Sequence, residues 1–374
     1  MTSRDRLLTV FANGKPDRMP ASVHSWMDYF LSKYLGGIDQ YQAYERFGLD
    51  MVIYDVKYKG GIEGGMFWSN KPLMQTAKWR VERKDLEKTS NGIAYQLHIY
   101  TPDGTLSMGL ETNAITTWVT EYLVKGKDDI KLVDRYMPYP SVDTVAVNQV
   151  ADGIADRGVL RTHVFGYGQP GCWQDACCLH GTMNMILAAM DDPAWVHEFL
   201  RILRRKKLEW VSGLSGAKID ILELGGGDAS DTVISPTLFE QFVLPYDRPI
   251  IEALHSLGLK CVYHTCGGMM RILDQIKALG ADGSETLTPK GMGGNADLSV
   301  IKETLGKTMF LVGGFDQFHG LTNCSVEKTK TMVLECFRTA GRGGGYLLCP
   351  SDHFFDANVA NIMAYSEAAR ECVY

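Results

Sequence analysis

The sequence has no apolar run approaching the roughly 20 residues that a membrane-spanning helix needs. Its first residues also lack the apolar core and small-residue cleavage site of a secretory signal. No block of basic residues is present and the formal net charge is −6, which argues against binding to nucleic-acid phosphates. We therefore expect a cytoplasmic protein with neither nucleic acid nor membrane as a partner.

The cysteines make a poor disulfide framework. There are nine, an odd number, scattered along a chain expected to lie in a reducing compartment. Cys177 and Cys178 fall in an expected helix, and Cys261 falls in an expected strand. Because free cysteine is among the most buried residue types, we expect these three to pack in the core, which leaves the others as candidates for metal binding.

The second half of the chain alternates between short apolar runs and amphipathic stretches, a pattern that predicts a parallel sheet. The expected strands span 159–165, 219–224, 259–263, 281–286, 308–312 and 344–348. The expected helices span 173–190, 193–213, 235–257, 269–279, 299–305, 325–340 and 358–370. An open, doubly wound sheet would hold these strands. With further strands at 20–24 and 50–55, a closed (β/α)8 TIM barrel is the economical prediction, and 374 residues suit one barrel with insertions.

A different pattern fills residues 73–123. Runs at 79–82, 94–100 and 116–120 are rich in β-forming residues, and a Pro-Asp-Gly turn signal follows the second of them. We expect a small antiparallel β insertion here, within a single domain that spans 1–374.

Polar residues fall where the expected strands end, which is the edge at which parallel barrels place catalytic groups. These residues are His24, Asp55, His163, Glu223, His264, Cys266, Glu285, Asp316 and Cys349. Together they predict the lining of a cleft at that edge.

The sharpest feature is the His-x-Cys step at His264 and Cys266, followed by two glycines that allow a tight turn. Cys349 ends the last expected strand, which would lie beside the first in a closed barrel. One imidazole and two thiolates suit zinc, and three protein ligands leave a fourth position for substrate. The alternative is a chance motif whose histidine bonds a backbone carbonyl.

Neighbouring polar residues have two interpretations each. Glu285 could complete the metal site, and with Glu223 it forms the candidate pair of catalytic carboxylates. Glu223 and Asp228 flank three glycines and serve either as a proton carrier or substrate hydrogen-bond acceptor, or as loop caps. Asp352 and His353 either orient a metal ligand or cap the last helix.

Aromatic residues cluster in the expected loops. They are Trp26, Tyr29, Phe30, Tyr54, Phe67, Trp68, Phe165, Tyr167 and Trp173. Either they line an apolar pocket, which would suit a methoxylated aromatic, or they are ordinary core and loop residues.

Several stretches resemble the uroporphyrinogen decarboxylase superfamily, and most closely its zinc-dependent, corrinoid-linked methyltransferase branch. The stretches are 12–20 (ANGKPDRMP), 234–240 (ISPTLFE), 280–283 (GADG) and the segment around Cys349. The resemblance implies a (β/α)8 fold and a zinc site formed by His264, Cys266 and Cys349. Glu285 is similar to the acidic zinc ligand of the related cobalamin-independent methionine synthases.

The same resemblance implies that a methyl group moves between a small substrate and cobalamin. The substrate would be a methyl ether such as a methoxylated aromatic, or a thiol acceptor. The chain has no Asp-x-His-x-x-Gly stretch of a cobalamin-binding module, so a separate corrinoid protein is the expected partner. A homodimer is left open.

The alternative within the superfamily is a tetrapyrrole-binding or decarboxylase-like protein without metal chemistry. The decarboxylase carries an arginine-bearing Met-Arg-Gln-Ala-Gly-Arg stretch near its N-terminus, which grips the porphyrinogen carboxylates. This chain has Val23, His24, Ser25 and Trp26 in that region and no paired arginines, which disfavours that activity.

Overall fold

The structure of the protein is a computed structural model that describes residues 1–62 and 73–374. Its strands are β1 (Met51–Tyr54), β2 (Arg80–Lys88), β3 (Ile93–Thr101), β4 (Gly104–Thr112), β5 (Thr117–Glu121), β6 (Gly158–His163), β7 (Ile221–Gly225), β8 (Cys261–His264), β9 (Gly283–Thr286), β10 (Phe310–Phe315) and β11 (Tyr346–Pro350).

The α-helices of the described ranges are α1 (Ser3–Phe11), α2 (Asp28–Leu35), α3 (Gln40–Phe47), α4 (Asp129–Tyr136), α5 (Thr144–Ile154), α6 (Cys172–His180), α7 (Thr182–Asp191), α8 (Pro193–Ser212), α9 (Pro236–Phe242), α10 (Leu244–Ser256), α11 (Leu273–Leu279), α12 (Leu298–Thr304), α13 (Val326–Cys336) and α14 (Val359–Glu371). None of the helices in those ranges is both long enough and apolar enough to cross a membrane.

The main sheet is parallel and curled. Seven strands follow the order β1-β6-β7-β8-β9-β10-β11, so each strand after β6 lies beside its predecessor in the chain. Helices connect these strands, as parallel pairing requires. The α/β class and a TIM-like arrangement of parallel strands are confirmed, although the described residues form seven such strands and not eight.

The expected strand at 20–24 is reduced to a single bridge. Ala21 pairs with Leu348 of β11, and the Ser22 amide donates to the Leu348 carbonyl at 3.0 Å. On its other side the Asp50 amide, next to β1, donates to the Ala21 carbonyl at 2.8 Å. This short segment therefore connects the two edge strands by backbone hydrogen bonds. Pro20, which has no amide hydrogen, limits the pairing on one side.

The expected β insertion is a four-stranded antiparallel sheet in the order β2-β3-β4-β5. It lies between β1 and β6 in the sequence, and the turn between β3 and β4 falls at the Pro-Asp-Gly signal. Leu97, Ile99 and Met108 are fully buried beneath it, so one face of this sheet packs on the core. Whether the chain is one domain with an insertion stays a prediction.

Two expected helices are each divided in two. The span 173–190 forms α6 and α7, because Gly181 between them takes φ +98°, which interrupts the helix. The span 235–257 forms α9 and α10, which meet at Val243. Pro245 contributes to this second break, since it has no amide hydrogen to continue the hydrogen bonding of α9 and lies in the first turn of α10, where a helix tolerates proline.

The inner face of the curled sheet is apolar near the amino ends of the strands. Strand residues pack there with Leu7, Val10 and Phe11 of α1. The strand residues of this cluster are Val52, Val159, Ile221, Val262, Phe310, Val312, Leu347 and Cys349. Because side chains alternate along a strand, Arg161 and Glu223, two residues beyond Val159 and Ile221, share this inner face. The inner face therefore changes from apolar to charged toward the carboxyl ends.

Candidate metal centre and cleft

The carboxyl ends of four neighbouring strands bring the charged residues together. The parallel register pairs His163 of β6 with Glu223 of β7, and Gly225 of β7 with His264 of β8. The next pair joins His264 to Glu285 of β9. Residues far apart in the sequence thus reach one edge of the sheet, as predicted.

Two imidazoles and two carboxylates converge there. One ligand atom from each of His24, Glu223, His264 and Glu285 lies within 4.8 Å of the others, and all four residues are buried. His264 Nδ1 is 2.9 Å from Glu285 Oε1 and 3.3 Å from Glu223 Oε1. Imidazole nitrogen and carboxylate oxygen are common ligands of Zn²⁺ and similar divalent cations, so this donor set fits a metal ion.

Arg161 supports both carboxylates from within the sheet. Its guanidinium lies 2.5 Å from Glu223 and 2.5 Å from Glu285, and the three side chains are almost completely buried. Burial alone raises the pKa of Glu285, but the charges of Arg161 and His264 lower it to about 2. Glu223 behaves in the same way. Burial raises its pKa, but the charges of His264 and Arg161 outweigh this effect and lower the pKa to about 2. Both groups are therefore anionic at neutral pH.

The two histidines of the group differ in charge. Burial opposes protonation of His264, but the carboxylate of Glu223 and the thiol of Cys266 outweigh it and raise the pKa of His264 well above its ordinary value. Burial lowers the pKa of His24 well below its ordinary value, and the nearby Arg161 charge adds to that effect. The group therefore combines two carboxylates with one cationic and one neutral imidazole, and a divalent cation could take the place of the imidazole proton.

The two cysteines of the expected zinc triad lie at different depths. Cys266 is half-buried and lines the cleft two residues beyond His264. Cys349 is buried on β11, and this burial raises the pKa of its thiol. The negative charge of Glu285 raises that pKa further, while the positive charge of Arg161 lowers it. Neither thiol belongs to the convergent group of four. Their role as metal ligands stays a prediction.

A cleft of about 600 Å³ opens over this group. Tyr54 lies on its wall and donates to Glu223 Oε2 at 3.3 Å. Asp228 lies on the wall formed by the turn after β7, where its carboxylate accepts from Gln174 Nε2 at 2.7 Å and from Thr182 Oγ1 at 3.0 Å. These contacts fix the position of the Asp228 carboxylate, and burial raises its pKa.

The remaining strand-end predictions have mixed outcomes. His163 lines the cleft, but Asp55 pairs with Lys57 and lies in a neighbouring cavity. Asp316 pairs with His319 and does not line the cleft. Only some of the residues expected at this edge therefore line one cleft.

Asp352 and His353 do not cap the last helix, because Asn358 occupies that position. Both line the cleft, and His353 Nδ1 lies 2.9 Å from Ser25 Oγ. The His353 ring meets the His24 ring edge-on, with centroids 4.7 Å apart. Of the two interpretations, the contacts favour the one in which His353 orients a neighbouring side chain, the imidazole of His24.

Most of the aromatic residues belong to the core. Trp26, Phe30, Phe165, Tyr167 and Trp173 are buried, and Tyr29 is half-buried. Among the described members of the set, Tyr54 lines the cleft. Phe67 and Trp68 lie outside the described residues. The described members of the set therefore do not line the cleft as an aromatic pocket.

Arg161 and Gln174 are contributors that the sequence reasoning missed. The signal for Arg161 was present: it is a charged residue in an apolar strand, two positions before His163 and so on the same face. Gln174 lies inside an expected helix and carried no comparable signal. Its role follows from the return of α6 to the turn after β7, where its side chain contacts Asp228.

Comparison with solved structures identifies related folds. A methyltransferase from Methanosarcina mazei superposes with a TM-score of 0.65 at 15% identity, covering 99% of each chain. A B12-independent methionine synthase from Shewanella has a TM-score of 0.39 at 12% identity, covering 78% of this chain and 75% of its own. A D-psicose 3-epimerase from Clostridium cellulolyticum has a TM-score of 0.38 at 10% identity, covering 68% and 93%.

No protein of curated function matches this sequence. The family model named Uroporphyrinogen decarboxylase (URO-D) matches residues 160–372, which is more than half of the chain. That range holds most of β6, all of β7 to β11, and the residues Arg161, Glu223, His264 and Glu285 of the candidate metal centre. The chain belongs to the uroporphyrinogen decarboxylase family.

Proposed function

We propose that this protein is a zinc-dependent methyltransferase, which moves a methyl group between a small substrate and the cobalamin of a separate corrinoid protein. The observation that carries the proposal is the convergence of His264, Glu223 and Glu285 at the strand ends, with Cys266 on the cleft wall two residues beyond His264. The similarity of fold to a methyltransferase agrees with it.

The proposed zinc ligands are His264, Cys266, Cys349 and Glu285, with His24 as a further imidazole beside them. A bound zinc ion would lower the pKa of a substrate thiol or polarise the oxygen of a methyl ether. Arg161 keeps Glu285 ionised and oriented, and the cleft admits a small molecule to the exposed side of the group.

Glu223 is proposed as the carboxylate that faces the substrate. It lines the cleft, whereas Glu285 lies deeper in the sheet. Its pKa of about 2 results from His264 and Arg161 acting against burial, and such a weak base is poorly suited to carry a proton at neutral pH. Glu223 therefore accepts a hydrogen bond from the substrate, which is the second of the two roles considered for it.

A corrinoid partner would approach the carboxyl ends of the strands, where the cleft opens. The alternative of porphyrinogen decarboxylation is less well supported. Among the described residues that line the cleft there is no lysine or arginine, whereas Glu223, Asp228 and Asp352 are present. A substrate with several carboxylates would find no lysine or arginine to bind it there, and the His264 imidazole is already paired with Glu223 and Glu285.

The first test is the zinc content of the purified protein, measured by mass spectrometry. We expect about one zinc per chain in the wild type, and loss of zinc in His264→Ala and Cys349→Ala. Cys336→Ala and His255→Ala are the matched controls, because Cys336 lies on α13 and His255 on α10, outside the cleft lining. Both should keep their zinc.

The second test follows methyl transfer. A corrinoid protein reduced to cob(I)alamin is mixed with the zinc-loaded enzyme and methyl ethers, and methylation of the cobalt is followed by absorbance. For the reverse direction, thiols are mixed with the methylated corrinoid. Absence of zinc after reconstitution, or zinc without any methyl transfer in either direction, would overturn the proposal.

A further inference from the structure

The His264 imidazole, which lines the cleft, is already paired with Glu223 and Glu285, and the other charged side chains of the described cleft lining are carboxylates. The lining contains the carboxylates of Glu223, Asp228 and Asp352, and no lysine or arginine among the described residues. Arg161, the cation nearest to the metal centre, is buried and is committed to Glu223 and Glu285. A ligand in the cleft therefore meets carboxylates without a free basic side chain.

Asp228 is held in place by its neighbours. Gln174 donates to one carboxylate oxygen and accepts from the Asp228 amide, while the Thr182 hydroxyl donates to the other oxygen. Asp228 also follows Gly227, where an added Cβ would lie 2.7 Å from Cys266 Sγ. The backbone that precedes Asp228 thus approaches the proposed metal ligand Cys266, and the carboxylate itself is held by Gln174 and Thr182.

Asp352 lies on the same cleft, three residues beyond Cys349, and accepts a hydrogen bond from the His353 amide at 2.7 Å. It forms no ion pair with a lysine or arginine among the described residues. Like charges in a partly desolvated cleft repel more strongly than in bulk water. Repulsive elements of this kind exclude the wrong ligand even where the attractive contacts are shared.

From this arrangement we infer that the cleft selects methyl donors or acceptors that are neutral or cationic and rejects anionic ones, with Asp228 and Asp352 as specificity-determining residues. The inference rests on the proposed function, because it concerns the substrate of the same site. A divalent metal ion held by two thiolates and the Glu285 carboxylate would have no net positive charge together with its ligands, so it could coordinate a substrate thiolate without offsetting the repulsion of a second anionic group.

Three thiols that share one HS–CH2–CH2 group test the inference: 2-aminoethanethiol, 2-mercaptoethanol and 2-mercaptoethanesulfonate. They are cationic, neutral and anionic respectively. The protein is loaded with Co²⁺ in place of zinc, and each thiol is titrated while the thiolate-to-cobalt absorption band is followed. Metal-free protein provides the background. We expect the sulfonate to bind at least about tenfold more weakly than the neutral thiol.

Asp228→Asn and Asp352→Asn should each reduce this gap by about threefold or more, because each removes one negative charge and keeps the shape. Asp103→Asn, which changes a carboxylate that is paired with Arg135 in the turn between β3 and β4, should leave the gap unchanged. Circular dichroism confirms that each variant is folded. If one aspartate variant fails to fold, the other still decides the question.

The failures of the two proposals are distinguishable. Cobalt-loaded protein that binds all three thiols equally, or prefers the sulfonate, would overturn the charge selection and leave the metal-dependent function standing. A gap that persists unchanged in both aspartate variants would overturn the assignment of these residues. Protein that takes up neither cobalt nor zinc would overturn the proposed function and this inference with it.

Discussion

Arg161 forms a bidentate ion pair with Glu285: its Nη1 donates to Oε2 at 2.9 Å, and its Nη2 donates to Oε1 at 2.5 Å. Nη2 also lies 2.5 Å from Glu223 Oε2. One cation deep in the sheet thus pairs with two carboxylates of the candidate metal centre. A planar guanidinium suits this arrangement better than an ammonium group, because it donates in parallel to a carboxylate.

Replacement of this cation should destabilise the protein strongly. We expect Arg161→Met to lower the free energy of unfolding by about 3–5 kcal/mol, since it leaves two buried carboxylates without their counter-charge. Urea denaturation followed by circular dichroism measures the change. Arg161→Lys should lose less, because it keeps the charge and gives up only the bidentate geometry.

A second substitution separates charge from packing in this prediction. Adding Glu285→Gln to Arg161→Met removes one of the uncompensated charges, so the double variant should be more stable than Arg161→Met alone. If the double variant is instead less stable by the sum of the two single effects, the arginine contributes through packing and not through charge.

The alternation of strands and helices was predictable from periodicity, and β6 to β11 fall close to the expected spans. The divided helices were not predicted, because a break at Val243 depends on the amide hydrogen that Pro245 lacks inside an otherwise continuous apolar pattern. The segment around Ala21 was read as a strand, but its pairing amounts to one bridge. Pairing of this kind depends on tertiary contacts that no local pattern records.

The site was predictable to the extent that strand ends meet at one edge. His264 and Glu285 were placed together by this argument, and the register confirms their proximity. The relative depth of Cys266 and Cys349 was not predictable, since it depends on the curl of the sheet and the local course of the turn after β8. Arg161 was missed although a charge inside an apolar strand marks it, because the prediction considered only the residues at the strand ends.

Gly227 offers a test of how closely the turn after β7 approaches Cys266. A Cβ at this position would lie 2.7 Å from Cys266 Sγ and 3.1 Å from the Cys266 carbonyl oxygen. Gly227→Ala should therefore displace the thiol and weaken zinc binding by about 10–100-fold, the range for changes next to a metal ligand. Competition with a chromogenic chelator measures the affinity.

Gly153→Ala is the matched control, because Gly153 lies in α5 and an added Cβ meets nothing within 4 Å. It should keep the zinc affinity and add about 0.5–1 kcal/mol of stability, as alanine does in a helix. An unchanged affinity in Gly227→Ala would show that Cys266 is free to move or does not bind the metal.

Two consecutive lysines of α8, Lys206 and Lys207, should differ sharply in their contribution to the stability of the folded protein. Lys207 Nζ lies 2.9 Å from Asp175 Oδ2, and both side chains are buried. It also donates to the Phe165 carbonyl at 2.9 Å, so it anchors the loop that borders the cleft. Lys207→Met should cost about 3–5 kcal/mol, because it leaves Asp175 buried without a cation. Differential scanning calorimetry and urea unfolding would both detect this loss.

Lys206 is also buried, but its contact is the Met137 carbonyl at 2.8 Å and not a carboxylate. Burial, aided by the Arg205 charge, lowers its pKa from 10.5 to about 8. The folded state binds this proton more weakly than the unfolded state does. Burial of the ammonium group therefore lowers the free energy of unfolding by its full amount below pH 8, and this loss diminishes as the pH rises toward 10.5.

Lys206→Met removes that loss, so its stability relative to the wild type should be greatest at neutral pH. A difference of 2.5 pKa units corresponds to about 3 kcal/mol, and the lost hydrogen bond to Met137 offsets part of it. The advantage of the variant should shrink between pH 8 and pH 10.5. Urea unfolding of both proteins at pH 7, 9 and 10 measures this trend. A stability difference that does not change with pH would show that Lys206 titrates at its ordinary value in the folded protein.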